Sequence, residues 1–184
     1  AGEEFLASVC EDWEAEAKNS NIPPAIVRVG VVLGRKGGAI PKLESLARTG
    51  IAGPLGSGKQ WMSWIHIDDL TQVYFDLLIQ NKRGIFNAVS PHPVSNRELT
   101  QSICDSTGKW MAPSVPSFVL RGVAGEVAGT LLASQNVQPQ ALQRMDFQFK
   151  HPELKSALEQ IFGKDKGDLE FTQSQWIPQA PEEI

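Results

Sequence analysis

The sequence predicts an α/β fold with a parallel sheet and crossover helices. Three observations carry this. Amphipathic helix patterns alternate with short apolar runs from the first residues to Gly108. One of those runs, "AIVRVGVVLG", is almost wholly apolar and β-branched, as a strand buried on both faces must be. Helix stops and starts punctuate the runs, at Pro23–Pro24, at Gly50 and at Ser95 with Glu98.

In chain order, Phe5, Val9, Trp13 and Ala17 recur every fourth residue and mark an amphipathic helix. "NSNIPP" ends it, because two prolines do not continue a helix. "AIVRVGVVLG" is the first strand, "GRKGG" a loop, and "AIPKLESLARTG" a short helix closed by Gly50. "SWIHI" reads as a strand, and Asp68 is the expected cap of the helix "DDLTQVYFDLLIQN". "GIFNAVS" is a further strand. Ser95 and Glu98 then form a capping box for "NRELTQSICDSTG". Beyond it, "SVPSFVLRGVAGEVAGTLLASQNVQPQALQRM" is expected to be helical with a break at Pro139. "DFQFK" reads as a short strand, and Pro152 is expected to open the last helix, "PELKSALEQIFG".

Composition narrows the partners. The chain has 184 residues, 41% hydrophobic and 21% charged, enough for one domain with a substantial core. Its net charge of -4 and the lack of a basic stripe argue against nucleic acid. Its apolar stretches are too short to span a bilayer, so no membrane partner is expected. The two cysteines, Cys10 and Cys104, stand far apart, in neither a disulfide framework nor a zinc spacing. A reducing compartment, the cytoplasm, is the expectation. The chain opens on Ala1, directly in a helix pattern, and reads as a piece of a longer protein.

"GPLGSGKQ", residues 53–60, comes close to a phosphate-binding loop. Gly53, Gly58 and Lys59 fit that pattern, but Gln60 stands where the magnesium-binding hydroxyl belongs. The flanks also differ: a helix end and a loop precede it, and a strand-like run comes after it. The loop is therefore read as a glycine-rich entry to a strand. "HIDD", with His66, Asp68 and Asp69, has two readings. An imidazole beside two carboxyls suits a metal or proton transfer. Alternatively the carboxyl caps a helix and the imidazole meets a polar group at a strand end. The second is preferred and no metal is expected, since no further ligand cluster appears in sequence. His92 and His151 read as a loop residue and a helix-start residue. Arg28 is a charge inside an apolar strand and needs a partner, a carboxyl or a ligand phosphate. Trp61, Met62 and Trp64 stack on a flat ligand or fill a core. Tyr-x-x-x-Lys does not occur: the single tyrosine, Tyr74, is followed four places on by Leu78.

Taken together, "FLASVCEDWEAEA", "VRVGVVLGRKGGAIPKL", "GPLGSGKQWMSWIHIDDL", "GIFNAVSPHPVSNRELT", "LLASQNVQPQAL" and "FQFKHPELKSAL" resemble the epimerase-like family of atypical short-chain dehydrogenase/reductases. Members are often labelled nucleoside-diphosphate-sugar epimerases. The resemblance covers residues 3–163 in consistent order. It implies the C-terminal part of a Rossmann-type parallel sheet with a small, mostly helical substrate-side region over residues 1–163, and NADP(H) as cofactor. It also implies that the glycine fingerprint and first strands lie before Ala1. Arg28, Gly30, Val31 and Val32 would then pass near the nicotinamide end of the cofactor. Gln60, Trp61, Trp64 and His66 would border the pocket of a small, nucleotide-linked substrate. In extended members, Tyr-x-x-x-Lys is followed four residues later by Glu. Placing Glu14 on that Glu puts Leu6 and Cys10 where Tyr and Lys stand, so the usual proton-transfer pair is missing and the catalytic residues are unknown. Without the N-terminal strands, one sheet edge stays open, and self-association or pairing with an N-terminal segment is expected. Residues 164–184, a charged linker and "LEFTQSQWIPQAPEEI", are similar to the opening of START-like ligand-binding domains; a plain tail is the other reading.

Overall fold

The computed structural model describes residues 5–118, 129 and 132–163. The helical stretch expected over 114–145 lies partly outside them, and within its described part residues 133–139 are not helical while Gln140–Gln143 are; the START-like reading of 164–184 lies wholly outside. Helix α1 spans Phe5–Lys18, α2 Ile40–Arg48, α3 Ile67–Ile79, α4 Asn96–Ser106, α5 Gln140–Gln143 and α6 Leu154–Phe162. The strands are β1 Ala25–Val29, β2 Val31–Leu33, β3 Trp61–Met62, β4 Trp64–His66, β5 Gly84–Ala88 and β6 Val94–Ser95. No helix among the described residues is long and apolar enough to cross a membrane.

The expected single strand "AIVRVGVVL" is two strands. β1 runs parallel to β5, with Ile26 opposite Ile85 and Arg28 opposite Asn87. β2 runs parallel to β4, with Val31 opposite Trp64. Gly30 is the point of exchange: its N–H still donates to Ala88 O, while Val31 N–H already donates to Ser63 O. The exchange needs a residue without a side chain. A Cβ at Gly30 would stand 2.6 Å from Ser63 O and 2.9 Å from Val89 Cγ1. The side-chain alternation slips by one there, since Val27 and Val32 both pack on the same core.

β2 and β4 separate two cores. Leu33 and Trp64 face one, with Ile40, Leu99, Ile103, Leu154, Leu158 and Ile161 from α2, α4 and α6. Ile65 faces the other, with Leu70, Val73 and Leu77 of α3, Phe86 of β5 and Leu142 of α5. Strand alternation thus serves opposite layers with neighbouring residues. β1 is less buried than its composition predicts, with only Ile26 and Val27 half-buried. Its edge away from β5 carries no strand among the described residues. On α1, Val9 and Ala17 are half-buried while Trp13 is 72% exposed.

Helix ends follow the sequence signals with two corrections, and one expected strand does not form. Ser95 caps α4, its Oγ accepting from Glu98 N–H, as the capping box requires. At α3, however, the cap is His66 and not Asp68: the helix starts at Ile67, and His66 Nδ1 accepts from Asp68 N–H. α6 begins at Leu154, with Glu153 rather than Pro152 at its cap position. "DFQFK" is not a strand. Asp146 takes a positive φ of 54°, which breaks an extended run. The Lys150 and His151 amides that come after it are bound by a side chain instead of a neighbouring strand. Phe147 and Phe149 still do what apolar strand residues would do, packing edge to face on the second core.

Candidate functional site

The glycine loop closes on itself and on α4. Gly56 and Gly58 have positive φ, 57° and 69°, which glycine adopts without strain. Gly58 N–H donates to Leu55 O, and Arg97 N–H donates to Gly58 O. Leu55 N–H donates to Asn96 Oδ1, and Gln60 Nε2 donates back to Leu55 O. β3, not a helix, comes directly after the loop, and the Leu55, Gly56, Gly58 and Lys59 amides are bound within the protein.

Beyond the loop, the predicted pocket residues divide by burial. Trp64 is 0% exposed, lies in the first core, and donates its Nε1–H to His92 O at 2.9 Å. Gln60 is buried at the loop base. Trp61 is 43% exposed and presents aromatic surface. Its backbone is stitched to the segment that leads into α5: Trp61 N–H donates to Ser134 Oγ and Gln135 N–H to Trp61 O. Ser63 continues the seam, donating to Gln135 O and accepting from Val137 N–H.

Arg28 has found a carboxyl. Its Nε and Nη2 meet Glu14 Oε1 and Oε2 at 2.6 and 2.7 Å, a bidentate pair that ties β1 to α1. Arg28 and Val27 point to opposite faces of β1, so the charge lies on the α1 side while Val27 serves the core. The guanidinium's hydrogen bonds hold the Glu14 carboxyl below its ordinary value, and Glu14 in turn raises Arg28.

His66 sits at the carboxyl end of β4, 1% exposed. Its Nε2 lies 3.0 Å from Gln160 Oε1 of α6 and its Nδ1 accepts from Asp68 N–H at 3.2 Å. Burial, together with His151 alongside, holds it below the usual imidazole range. In sequence, His151 reads only as a helix-start residue. The fold sets its ring centroid 4.1 Å from that of His66, the planes tilted by 49°, and its Nε2 3.6 Å from Asp68 Oδ2. Asp69, 1% exposed, holds this arrangement, accepting from Lys150 N–H at 2.7 Å and His151 N–H at 3.0 Å. Nothing in sequence spacing links positions 69 and 151; "HPEL" after an aromatic run is the one signal there.

A groove of about 630 Å³ runs beside this cluster, lined by residues of α3 and of the 145–150 segment. Asp68, Asp69, Asp76 and Asp146 line it, and Lys150 is the only cation among the described lining residues. That lining repels phosphates, and Gln60, Trp61 and Trp64 do not contribute to it.

The parallel pairing and crossover helices define a Rossmann-type α/β fold, and known structures agree. Human epimerase family protein SDR39U1, solved with NADPH, superposes with a TM-score of 0.80 at 34% identity, over 86% of this chain and 55% of that one. A nucleoside-diphosphate sugar epimerase from Corynebacterium glutamicum gives a TM-score of 0.69 at 33% identity, over 89% of this chain and 32% of that one. In sequence, the chloroplastic SDR39U1 homolog of Arabidopsis thaliana is 37% identical over 166 residues, 88% of this chain and 47% of the relative. Residues 115–161 match a family described as a domain of unknown function, DUF1731. Over most of its length the chain is similar to proteins named as epimerase family members. It spans about half the length of the curated relatives it matches.

Proposed function

We propose that this chain is part of an NADP(H)-binding epimerase- or reductase-like protein that acts on a small, nucleotide-linked substrate and lacks the usual Tyr–Lys pair. The observation that carries the reading is the likeness to the human relative solved with NADPH. Gly30, Val31 and Val32, where the chain changes partners between β5 and β4, are the proposed cofactor-side backbone. Trp61, with its exposed ring, is the proposed substrate-side aromatic, while Gln60, Trp64 and His66, proposed with it for the pocket, are buried in the fold. The two free cysteines fit a reducing compartment such as the cytoplasm. A second reading is a binding module that keeps the fold without turnover, favoured by Leu6 and Cys10 at the Tyr and Lys positions. Turnover of a panel of nucleotide sugars with NADPH, by a polypeptide that carries this chain with a dinucleotide-binding half, separates the two.

The open edge of β1 and the exposed side chains of Trp13, Phe75, Leu78 and Ile79 favour cover by further strands or by a second copy. The same logic predicts weak cofactor binding by these 184 residues. Adenosine and pyrophosphate are held by a first βα unit with a glycine fingerprint, which this sequence does not contain. Calorimetry on the 184-residue chain is expected to give no sub-micromolar NADPH binding; such binding would mean that other residues hold the pyrophosphate.

Arg28 is the next test. Its pair with Glu14 is half-exposed, so Arg28→Met is expected to cost at most about 1 kcal/mol. Glu14 is depressed in the fold, so this contribution is full above its ordinary value of 4.5 and is lost as pH falls through the lower folded value. Melting curves of Arg28→Met and the parent should therefore differ near neutrality and converge in acid. NADPH affinity of the cofactor-binding polypeptide should hold. A tenfold loss of affinity with unchanged melting would instead make Arg28 a ligand contact.

A further inference from the structure

We propose that His66, Asp68 and His151 form a binding site for a divalent transition ion of the zinc class. The donor atoms are His66 Nδ1, Asp68 Oδ2 and His151 Nε2, all within 4.8 Å of one another. His66 Nδ1 stands 3.9 Å and His151 Nε2 3.6 Å from Asp68 Oδ2. His151 Nε2 is buried and has no hydrogen-bond partner among the described residues, although it faces a carboxyl. A buried ring nitrogen left in that state calls for a ligand. Two imidazoles and one carboxyl suit zinc-like ions, whereas magnesium and calcium prefer all-oxygen shells.

The surroundings support the same chemistry. Gln160 Oε1 accepts from His66 Nε2–H, the outer-shell contact that turns the other ring nitrogen toward a metal. Asp69 fixes the backbone of His151 from below. Asp68 is 41% exposed and leaves a side open for a fourth ligand. Ligands on a tetrahedral ion stand roughly 3.2–3.6 Å apart, so the ring nitrogens converge by on the order of 1 Å. The ion displaces the longer of the two contacts of His66, the one to Asp68 N–H at 3.2 Å. It also competes with Lys150 Nζ, 3.5 Å from Asp68 Oδ2. A bound ion would pin the start of α3, residue 151 and, through Gln160, α6 to one another.

The test is titration of the untagged, chelator-treated chain with zinc chloride in a calorimeter, with thermal melting alongside. About one ion per chain is expected, at micromolar affinity or tighter, with a raised melting temperature. His151→Phe keeps a ring beside His66 and should weaken binding at least tenfold; Gln160→Ala should weaken it by about tenfold through the outer shell. If His151→Phe does not fold, Asp68→Asn, a half-exposed change, must lose the binding in its place. The chain has three histidines, and the remaining one, His92, pairs with Glu153 at the surface. His92→Ala must bind zinc like the parent. No saturable binding overturns the site, and so does binding that survives His151→Phe or disappears in His92→Ala.

Discussion

Trp64→Ala is expected to lower stability by about 3–5 kcal/mol, a large share of the roughly 5–15 kcal/mol that holds a domain together. The indole is wholly buried in the core it shares with Leu33, Val94, Leu99 and Ile103. Removing it opens a cavity that several elements would have to fill at once. It also leaves His92 O without the Nε1–H donor. Trp64→Phe keeps most of the contact and should lose less than half as much. Trp61→Ala, at a 43% exposed position, should shift stability by under about 1 kcal/mol. Urea unfolding of the three variants reads these differences. Equal losses at Trp61 and Trp64 would mean that the two rings share one structural job, and the proposed substrate role of Trp61 would fall with that result.

How far the sequence reaches is seen in such pairs. The periods in "DDLTQVYFDLLIQN" and "NRELTQSICDSTG" and the Ser95–Glu98 box lie within a few residues of one another, so local chemistry alone decides them. The parallel strands are legible for the same reason. The two tryptophans are not separable, because both sit in one aromatic run and only packing tells which is inside. At Gly30 the fold requires a residue without a side chain, because Ser63 O and Val89 lie close by. The choice of neighbour is a long-range fact. The cap of α3 lies two residues before the expected Asp68, because a histidine ring nitrogen can do the work of a carboxyl. His151 lies furthest from view: its role depends on a loop that returns over many residues to the start of α3.

Asp69→Ala is the second large effect expected, at about 3–5 kcal/mol. The Asp69 carboxyl is 1% exposed and accepts both the Lys150 and the His151 amide. Each hydrogen bond to a charged group contributes about 1.5–3 kcal/mol, and one buried and one part-buried amide would lose their acceptor together. Alanine supplies none, and water entering from the groove replaces the acceptor only in part. Asp69→Asn keeps one acceptor but turns an NH₂ toward the other amide, so it should lose about 1.5–3 kcal/mol. Its neighbour Asp68 is half-exposed, and Asp68→Asn should stay within about 0.5 kcal/mol. Two adjacent carboxyls of one motif thus have different work, one holding the loop and the other facing solvent and the imidazoles. Hydrogen exchange adds a local reading: the Lys150 and His151 amides should exchange much faster in Asp69→Ala and keep their protection in Asp68→Asn. Similar losses for Asp69→Ala and Asp68→Asn, with protection at 150 and 151 unchanged, would remove Asp69 as the clamp and leave the placement of His151 to the packing of Phe147 and Phe149 alone.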